Sequence, residues 1–278
     1  MSFTRRLGLV CYDGSFYHGF AKNNQVSTVQ GFIERVLCNT FKIPSSDLYF
    51  TFSSRTDAGV HALGQPVCFD APHYFSDEVL LEIVNHHLPF TIQFRSIVSV
   101  TSDYNLRSSI QRKEYWYVIA NENQGVVLSR YCWMIPKAVS VRHLKQISEL
   151  LCGTNDYKDF AKDAKQYDST ICTIDSIEMI PAQTLGKEVS VPIDFPFRGD
   201  FDGFIMSVTG NRFLHNQVRR MCGCMVHVAS QQSQDASPLP CRSFQEFVQL
   251  YRNACKIKAP AQGLYLKKVQ LDQSNAGR

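Results

Sequence analysis

Long apolar runs are missing from this sequence. None approaches the ~20 residues a membrane-spanning helix needs, so no such span is expected. A strong charge bias is missing too. Lys and Arg number 29 against 25 Asp and Glu, for a net charge of +4. That balance permits nucleic-acid binding without demanding it, and an RNA partner would require the positive charge to gather on one face. The opening MSFTRRLGLVCYDG lacks the apolar core of a signal peptide and passes quickly into strand-like alternation. A cytoplasmic location is expected, with a mitochondrial address left open by Arg5 and Arg6 beside Ser2 and Thr4. Zinc-binding spacing is also lacking. Cys222 and Cys224 are the closest of ten cysteines and have no His or Cys partner at the right distance along the chain. Cys11, Cys68 and Cys222 lie in apolar periodic segments, the pattern of reduced, buried thiols.

What is present reads as a globular chain. Its 278 residues, 44% hydrophobic and 19% charged, suffice for one large core or two moderate ones. Leu7, Leu9 and Cys11 alternate with Gly8, Val10 and Tyr12, which predicts a strand. Ser27 and Gln30 form a capping-box pattern ahead of Val29, Phe32, Ile33, Val36 and Leu37, a helical stripe. Leu48, Phe50 and Phe52 predict a second strand, and Val67 with Phe69 a third. Ser76 should cap a helix burying Val79, Leu80, Ile83 and Val84, before a strand using Ile92, Phe94, Val98 and Val100. Strand, helix, strand, strand, helix, strand is the split-βαβ, ferredoxin-like order.

The second half repeats the theme less regularly. Tyr115 to Ala120 predicts an aromatic, β-branched strand. Ser140 should cap a helix with Val141, Leu144, Ile147, Leu150 and Leu151 inward. Phe204, Met206 and Val208 alternate as a strand, and a long helix is expected from about Arg212 to Ser230, with Leu214, Val218, Met221, Cys222 and Met225 on one face and Arg219 off it. Residues 181–203 read only as a connection and 231–240 as a polar loop. A helix with Phe244, Phe247, Val248 and Tyr251 and a strand around Leu264 to Leu266 close the chain. The expectation is α+β, with residues 1–104 as one half and 105–278 as the other, the two building one continuous sheet.

Between two of these strands lies SSRTDAGVHALGQ, Ser53 to Gln65. It joins Arg55 and Asp57 to an Ala58-Gly59 corner, a loop able to hold one carboxylate at a fixed height above a sheet. Loops of that kind carry function more often than packing. On spacing alone a surface turn, with Asp57 bonded to its own backbone, explains it as well.

The chain resembles the TruA-type tRNA pseudouridine synthases. These carry an R-T-D-A-G-V-H-A element, which stands here as Arg55 to Ala62. YDGSFYHGF (Tyr12 to Phe20) with TVQ (Thr28 to Gln30) is similar to the family's first strand and helix start. LRSS with KEYWYVI, FLHNQVRRMCG and APAQGLYLKKV resemble its tyrosine-bearing strand, its long later helix and its closing strand. The resemblance spans almost the whole chain. It implies the pseudouridine synthase fold: two ferredoxin-like halves forming one mainly antiparallel sheet, with helices packed on it and a central cleft.

The same resemblance implies a reaction and a site. The ribose C1′–N1 bond of a uridine is broken, the base turns, and C5 takes the place of N1, with no cofactor or metal. Asp57 would be the nucleophile or base that starts the cleavage. Arg219 would pair with it and hold its charge in a partly dry pocket. Tyr115 would stack on the uracil, and Leu264 would line its other side. Arg55 would fill the gap left by an extruded base or touch the backbone there. Arg107, Arg112, Lys113, Arg212 and Arg220 are candidates for phosphate contacts, and His61 is read as structural. The partner implied is tRNA, in its anticodon arm, bound by a homodimer, with no membrane and no small-molecule cofactor. Two features depart from the pattern: Ser54 stands where the family has glycine, and Lys162 to Ile177 matches poorly. The second departure keeps open an inactive tRNA-binding or RNA-folding protein of the same fold.

Overall fold

The computed structural model describes residues 2–122, 125–136, 139–185, 196–197, 201–232 and 237–272. Much of the expected 181–203 connection and part of the 231–240 loop lie outside the described residues. The fold is mixed α+β. Its strands are β1 (Phe3–Tyr12), β2 (Phe50–Phe52), β3 (His61–Pro72), β4 (Ile92–Ser99), β5 (Ile110–Asn121), β6 (Trp133–Ile135), β7 (Gly153–Asp156), β8 (Ile171–Pro181), β9 (Gly203–Gly210) and β10 (Leu264–Leu271). Its helices are α1 (Val29–Phe41), α2 (Asp77–His87), α3 (Val141–Leu151), α4 (Gln217–Ser230) and α5 (Phe244–Leu250). The chain divides into two compact units. The first is Met1–Arg112 with Tyr265–Arg278, and the second is Lys113–Leu264, so the division falls inside β5 and β10.

In the first unit β1 lies between β3 and β4, antiparallel to both, and β2 pairs with the far end of β3. This is the ferredoxin-like order that the element sequence implied. The near end of β3 takes β10 in parallel, at Tyr265 opposite His61 and Leu266 opposite Ala62. Ile33 and Leu37 of α1 and Leu80 and Val84 of α2 are fully buried, as are Val10, Val67 and Phe69 of the sheet. Cys68, Val100, Tyr104 and Leu106 form a second cluster, and nearly every residue of β3 is buried. Arg5 and Arg6 belong to this fold: Arg5 Nε is 2.5 Å from Asp70 Oδ1, and Arg6 Nη1 is 2.9 Å from Asp77 Oδ1.

Three local expectations are corrected. Thr28, not Ser27, caps α1, its side chain accepting from the Gly31 amide. Gln30 closes no capping box, because its Oε1 accepts from the Lys22 amide and its Nε2 donates to Glu34. Val79 sits on the exposed side of α2 at 47% exposure. In β4 the register slips opposite Leu9 and Val10, a bulge that turns Ile97 inward and Val98 out. One extra residue reverses which face every later side chain occupies.

The second unit is built on β5, β9, β8 and β7, each antiparallel to the next, with β6 added in parallel on β5. Ser140 caps α3 as expected, its side chain accepting from the His143 amide. Leu144, Ile147 and Leu151 are buried, whereas Val141 is 48% exposed. The long helix begins at Gln217, later than the sequence suggested. Side chains claim the preceding amides: Leu214 N donates to Gln217 Oε1 and His215 N to the Tyr167 hydroxyl. Asn216, at φ 63°, then turns the chain into the helix. All ten cysteines are free thiols. Among the described residues no helix is long and apolar enough to cross a membrane.

Candidate active site

The connector from β2 to β3 carries Arg55 and Asp57, and both of its ends are tied down. The Ser53 hydroxyl donates to Gln65 Oε1 at 2.7 Å, and Gln65 Nε2 donates to the Ser54 carbonyl. Burial alternates from there: Ser54 and Thr56 are buried, Arg55 is exposed, and Asp57 is half-buried. The Val60 amide donates to the Asp57 carbonyl at 3.2 Å, closing a four-residue turn. Gly59 sits at φ 77° in the third place of that turn, where a side chain would strain the backbone.

A second segment, Tyr12 to Phe20, cradles this turn. The Phe20 amide donates to the Thr56 carbonyl at 3.2 Å, and Gly59 N donates to the Tyr17 carbonyl at 3.3 Å. The Tyr12 and Thr56 hydroxyls are 2.8 Å apart. Gly14 packs so closely that a Cβ there would lie 2.0 Å from the Val60 carbonyl oxygen. Backbone therefore meets backbone on both sides of Asp57, which fixes where its carboxylate starts from.

His61 completes the cradle. It is 2% exposed, and its ring stacks on Tyr265 at 4.6 Å between centroids. Its Nδ1 lies 3.1 Å from the Gly14 amide and 3.2 Å from Asp13 Oδ1. Burial works against the Asp13 charge. The close approach of the His61 ring and the hydrogen bond from the Ser15 amide outweigh it and hold the carboxyl well below the usual aspartate range. Asp13, Gly14 and Tyr17 did not emerge from the sequence as functional residues. The D-G corner and close-set aromatics of YDGSFYHGF were the available signal.

The second unit holds Tyr115, Arg219 and Leu264. On β5, Glu114 Oε1 accepts from Trp116 Nε1 at 2.8 Å and from the Ser207 hydroxyl at 3.2 Å, which sets the even-numbered residues on one face. Lys113, Tyr115 and Tyr117 occupy the other face. Tyr115 is 8% exposed and meets the edge of Phe213 with centroids 5.2 Å apart. The Tyr117 hydroxyl donates to the Pro260 carbonyl at 2.7 Å, and burial holds its pKa well above the usual value.

Arg219 comes to the same neighbourhood from α4. Its Nε donates to the Ala259 carbonyl at 2.9 Å and its Nη1 to Asn216 Oδ1 at 3.3 Å, and the Ala259 amide returns a bond to the Arg219 carbonyl. A Cβ on Gly223 would lie 2.3 Å from the Ile257 carbonyl oxygen, so the helix and residues 257–259 are in backbone contact. Arg219 is buried at 8% exposure despite standing off the apolar stripe expected for its helix. Leu264 is 6% exposed and follows Gly263, where a Cβ would crowd the Tyr117 ring at 2.8 Å. Within this unit the structure thus gathers Tyr115, Arg219 and Leu264 around Tyr117 and residues 259–260.

The phosphate candidates differ among themselves. Arg107 is exposed. Arg212 Nη2 donates to the Ser169 carbonyl at 3.2 Å, and Arg220 Nη1 donates to the Ala161 carbonyl. The departing stretch from Lys162 forms a short turn at Ala164–Gln166 and then enters β8.

A family model described as tRNA pseudouridine synthase matches residues 147–272, which include Arg219 and Leu264. A protein of Anoxybacillus flavithermus named tRNA pseudouridine synthase A is 30% identical over 267 residues, 95% of this chain and 97% of its own. One of Ligilactobacillus salivarius with the same name is 30% identical over 273 residues, 96% of each chain. One of Pseudothermotoga lettingae, again so named, is 27% identical over 266 residues, 95% of this chain and 98% of its own.

Proposed function

We propose a mechanism for uridine isomerisation in tRNA from the premise that this chain belongs to the TruA family of tRNA pseudouridine synthases. Asp57 opens the reaction, by attack on the ribose or by taking a proton from it. The C1′–N1 bond breaks with its electron pair staying on the base, the base turns, and C5 bonds to C1′. The proton lost from C5 is balanced by one gained at N1. Nothing enters or leaves, so the reaction requires no cofactor.

Arg219 supplies the counter-charge to Asp57, Tyr115 stacks on the uracil, and Leu264 bounds it on the far side. Arg55 occupies the space that the extruded base leaves. An extruded base costs a few kcal/mol, which an inserted side chain offsets. The observation that carries this reading is the turn at Asp57. Its backbone is held by the Phe20 and Gly59 bonds and by the close approach of Gly14, while its carboxylate stays half open. Such rigidity suits a group that must meet one atom of a bound substrate. The protein acts as a homodimer that grips the tRNA and modifies its anticodon arm, in the cytoplasm. The experiment is chemical mapping of pseudouridine in tRNA treated with purified protein. Wild type should leave a mark at defined uridines and Asp57→Ala none; a mark of equal yield from both removes Asp57 from the mechanism.

A further inference from the structure

We propose that Lys113 is a further catalytic residue, its ammonium stabilising the negative charge that gathers on the uracil ring when the C1′–N1 bond breaks. This inference rests on the reading of Tyr115 as the residue stacked on the base. Lys113 stands two residues before Tyr115, on the face of β5 that also bears Tyr117 and, through residues 259–260, Arg219. Residues two apart on a strand are separated by roughly 7 Å along one face, within the span of a lysine's four-carbon stem.

The surroundings give that stem a direction. Directly across the ladder from Lys113 is Gly210, which offers no side chain. A Cβ on Gly210 would lie 2.7 Å from the Thr173 carbonyl oxygen and 3.1 Å from the Phe213 ring. Phe213 is the ring that meets Tyr115 by its edge. The wall beside Lys113 is therefore the aromatic pair that frames the proposed base pocket. Burial also pushes the Lys113 amine down to about 8, the behaviour of an ammonium drawn out of water. A lysine serving only to hold a phosphate would be expected to stay hydrated.

The chemistry calls for such a cation at one moment. The departing uracil keeps the electron pair of the broken bond, spread over N1, O2 and O4. A fixed positive charge in a dry site then lowers the barrier far more than the same charge in water. Neutral uracil in the ground state gains little from it, so the effect belongs in the rate and not in tRNA affinity.

The test is single-turnover tritium release from tRNA labelled at uridine C5, with tRNA binding measured alongside, for wild type, Lys113→Met and Lys113→Arg. Lys113→Met should slow release by about 10²–10³-fold while binding changes only a few-fold. Lys113→Arg should keep most of the rate. The alkaline fall of the wild-type rate, centred near the amine's value of about 8, should move upward in the arginine variant. Charged and titratable neighbours include Tyr115 and Tyr117 on its strand, Arg219 on α4, Asp175 in the bulge of β8, Arg212 beyond β9 and, on the proposed reading, Asp57. Burial keeps Tyr117 neutral well beyond that range. Full-speed release by Lys113→Met, a loss confined to binding, or an alkaline limb shared by the arginine variant would each overturn the assignment. Asp57→Ala separates the two readings. If it is silent while Lys113→Met runs at full rate, only the lysine's role falls; if it remains active, the reading of the site falls first.

Discussion

The turn around Asp57 and the β5 face bearing Tyr115 are held in place by different means. The turn is set by backbone: Thr56, Gly59 and Val60 bond or abut the 12–20 segment, and Gly14 leaves no room for a methyl group. The β5 face and its neighbours depend on side chains. Arg219 is fixed by its bonds to Ala259 and Asn216, and Tyr117 by its bond to Pro260. A site that must aim one carboxylate gains from backbone rigidity, whereas a site that must surround a planar base gains from buried rings and cations. Substitutions in the first should act through shape, and those in the second through charge and lost hydrogen bonds.

Gly14→Ala should give the largest effect on stability. Its methyl would meet the Val60 carbonyl oxygen at 2.0 Å, and backbone on both sides must move. About 3 kcal/mol of destabilisation is expected, at the upper end for overpacking, with a fall in thermal midpoint to match. Arg219→Met should cost about 2 kcal/mol, because the Ala259 carbonyl and the Asn216 side chain lose a buried donor. Equilibrium denaturation measures both, and a smaller loss for Gly14→Ala than for Arg219→Met would reverse the contrast.

Asp13→Asn should have the smallest effect, and it carries a pH signature. The folded-state pKa of Asp13 is depressed, so its stabilisation is complete above the unfolded aspartate value of about 4 and fades as the pH falls below it. The asparagine variant should lose less stability on acidification than wild type, by about 1 kcal/mol or less for a carboxylate that still keeps one side in water. Denaturation curves at neutral and acidic pH measure this, and parallel losses in the two proteins would exclude Asp13 as a contributor.

The first unit was legible because its elements follow one another locally. The order strand, helix, strand, strand, helix, strand and the cap at Ser76 needed only periodicity and side-chain chemistry. What escaped was decided by partners distant in sequence. The bulge opposite Leu9 and Val10 follows from pairing β1 with β4, and moving the α1 cap to Thr28 depended on Lys22 and Glu34 claiming Gln30. In the second unit β7 is short and polar, and β8 begins in the stretch that matched the family poorly, and neither was read as a strand. The helix α4 is buried on nearly all sides, which is why a stripe drawn on one face left Arg219 outside it. Arg55, Asp57, Tyr115, Arg219 and Leu264 were proposed from the resemblance, not from periodicity or spacing. The cradle of Asp13, Gly14 and Tyr17 around Asp57 became visible only in three dimensions.

The most direct measurement is tritium release from C5-labelled tRNA by Asp57→Asn, which keeps the size of the side chain and removes its charge. The account predicts a fall of about 10⁴-fold or more, as when a reacting group is lost, with tRNA affinity and thermal midpoint close to wild type. Release within about tenfold of wild type would contradict it, since an uncharged amide can neither attack the ribose nor accept its proton.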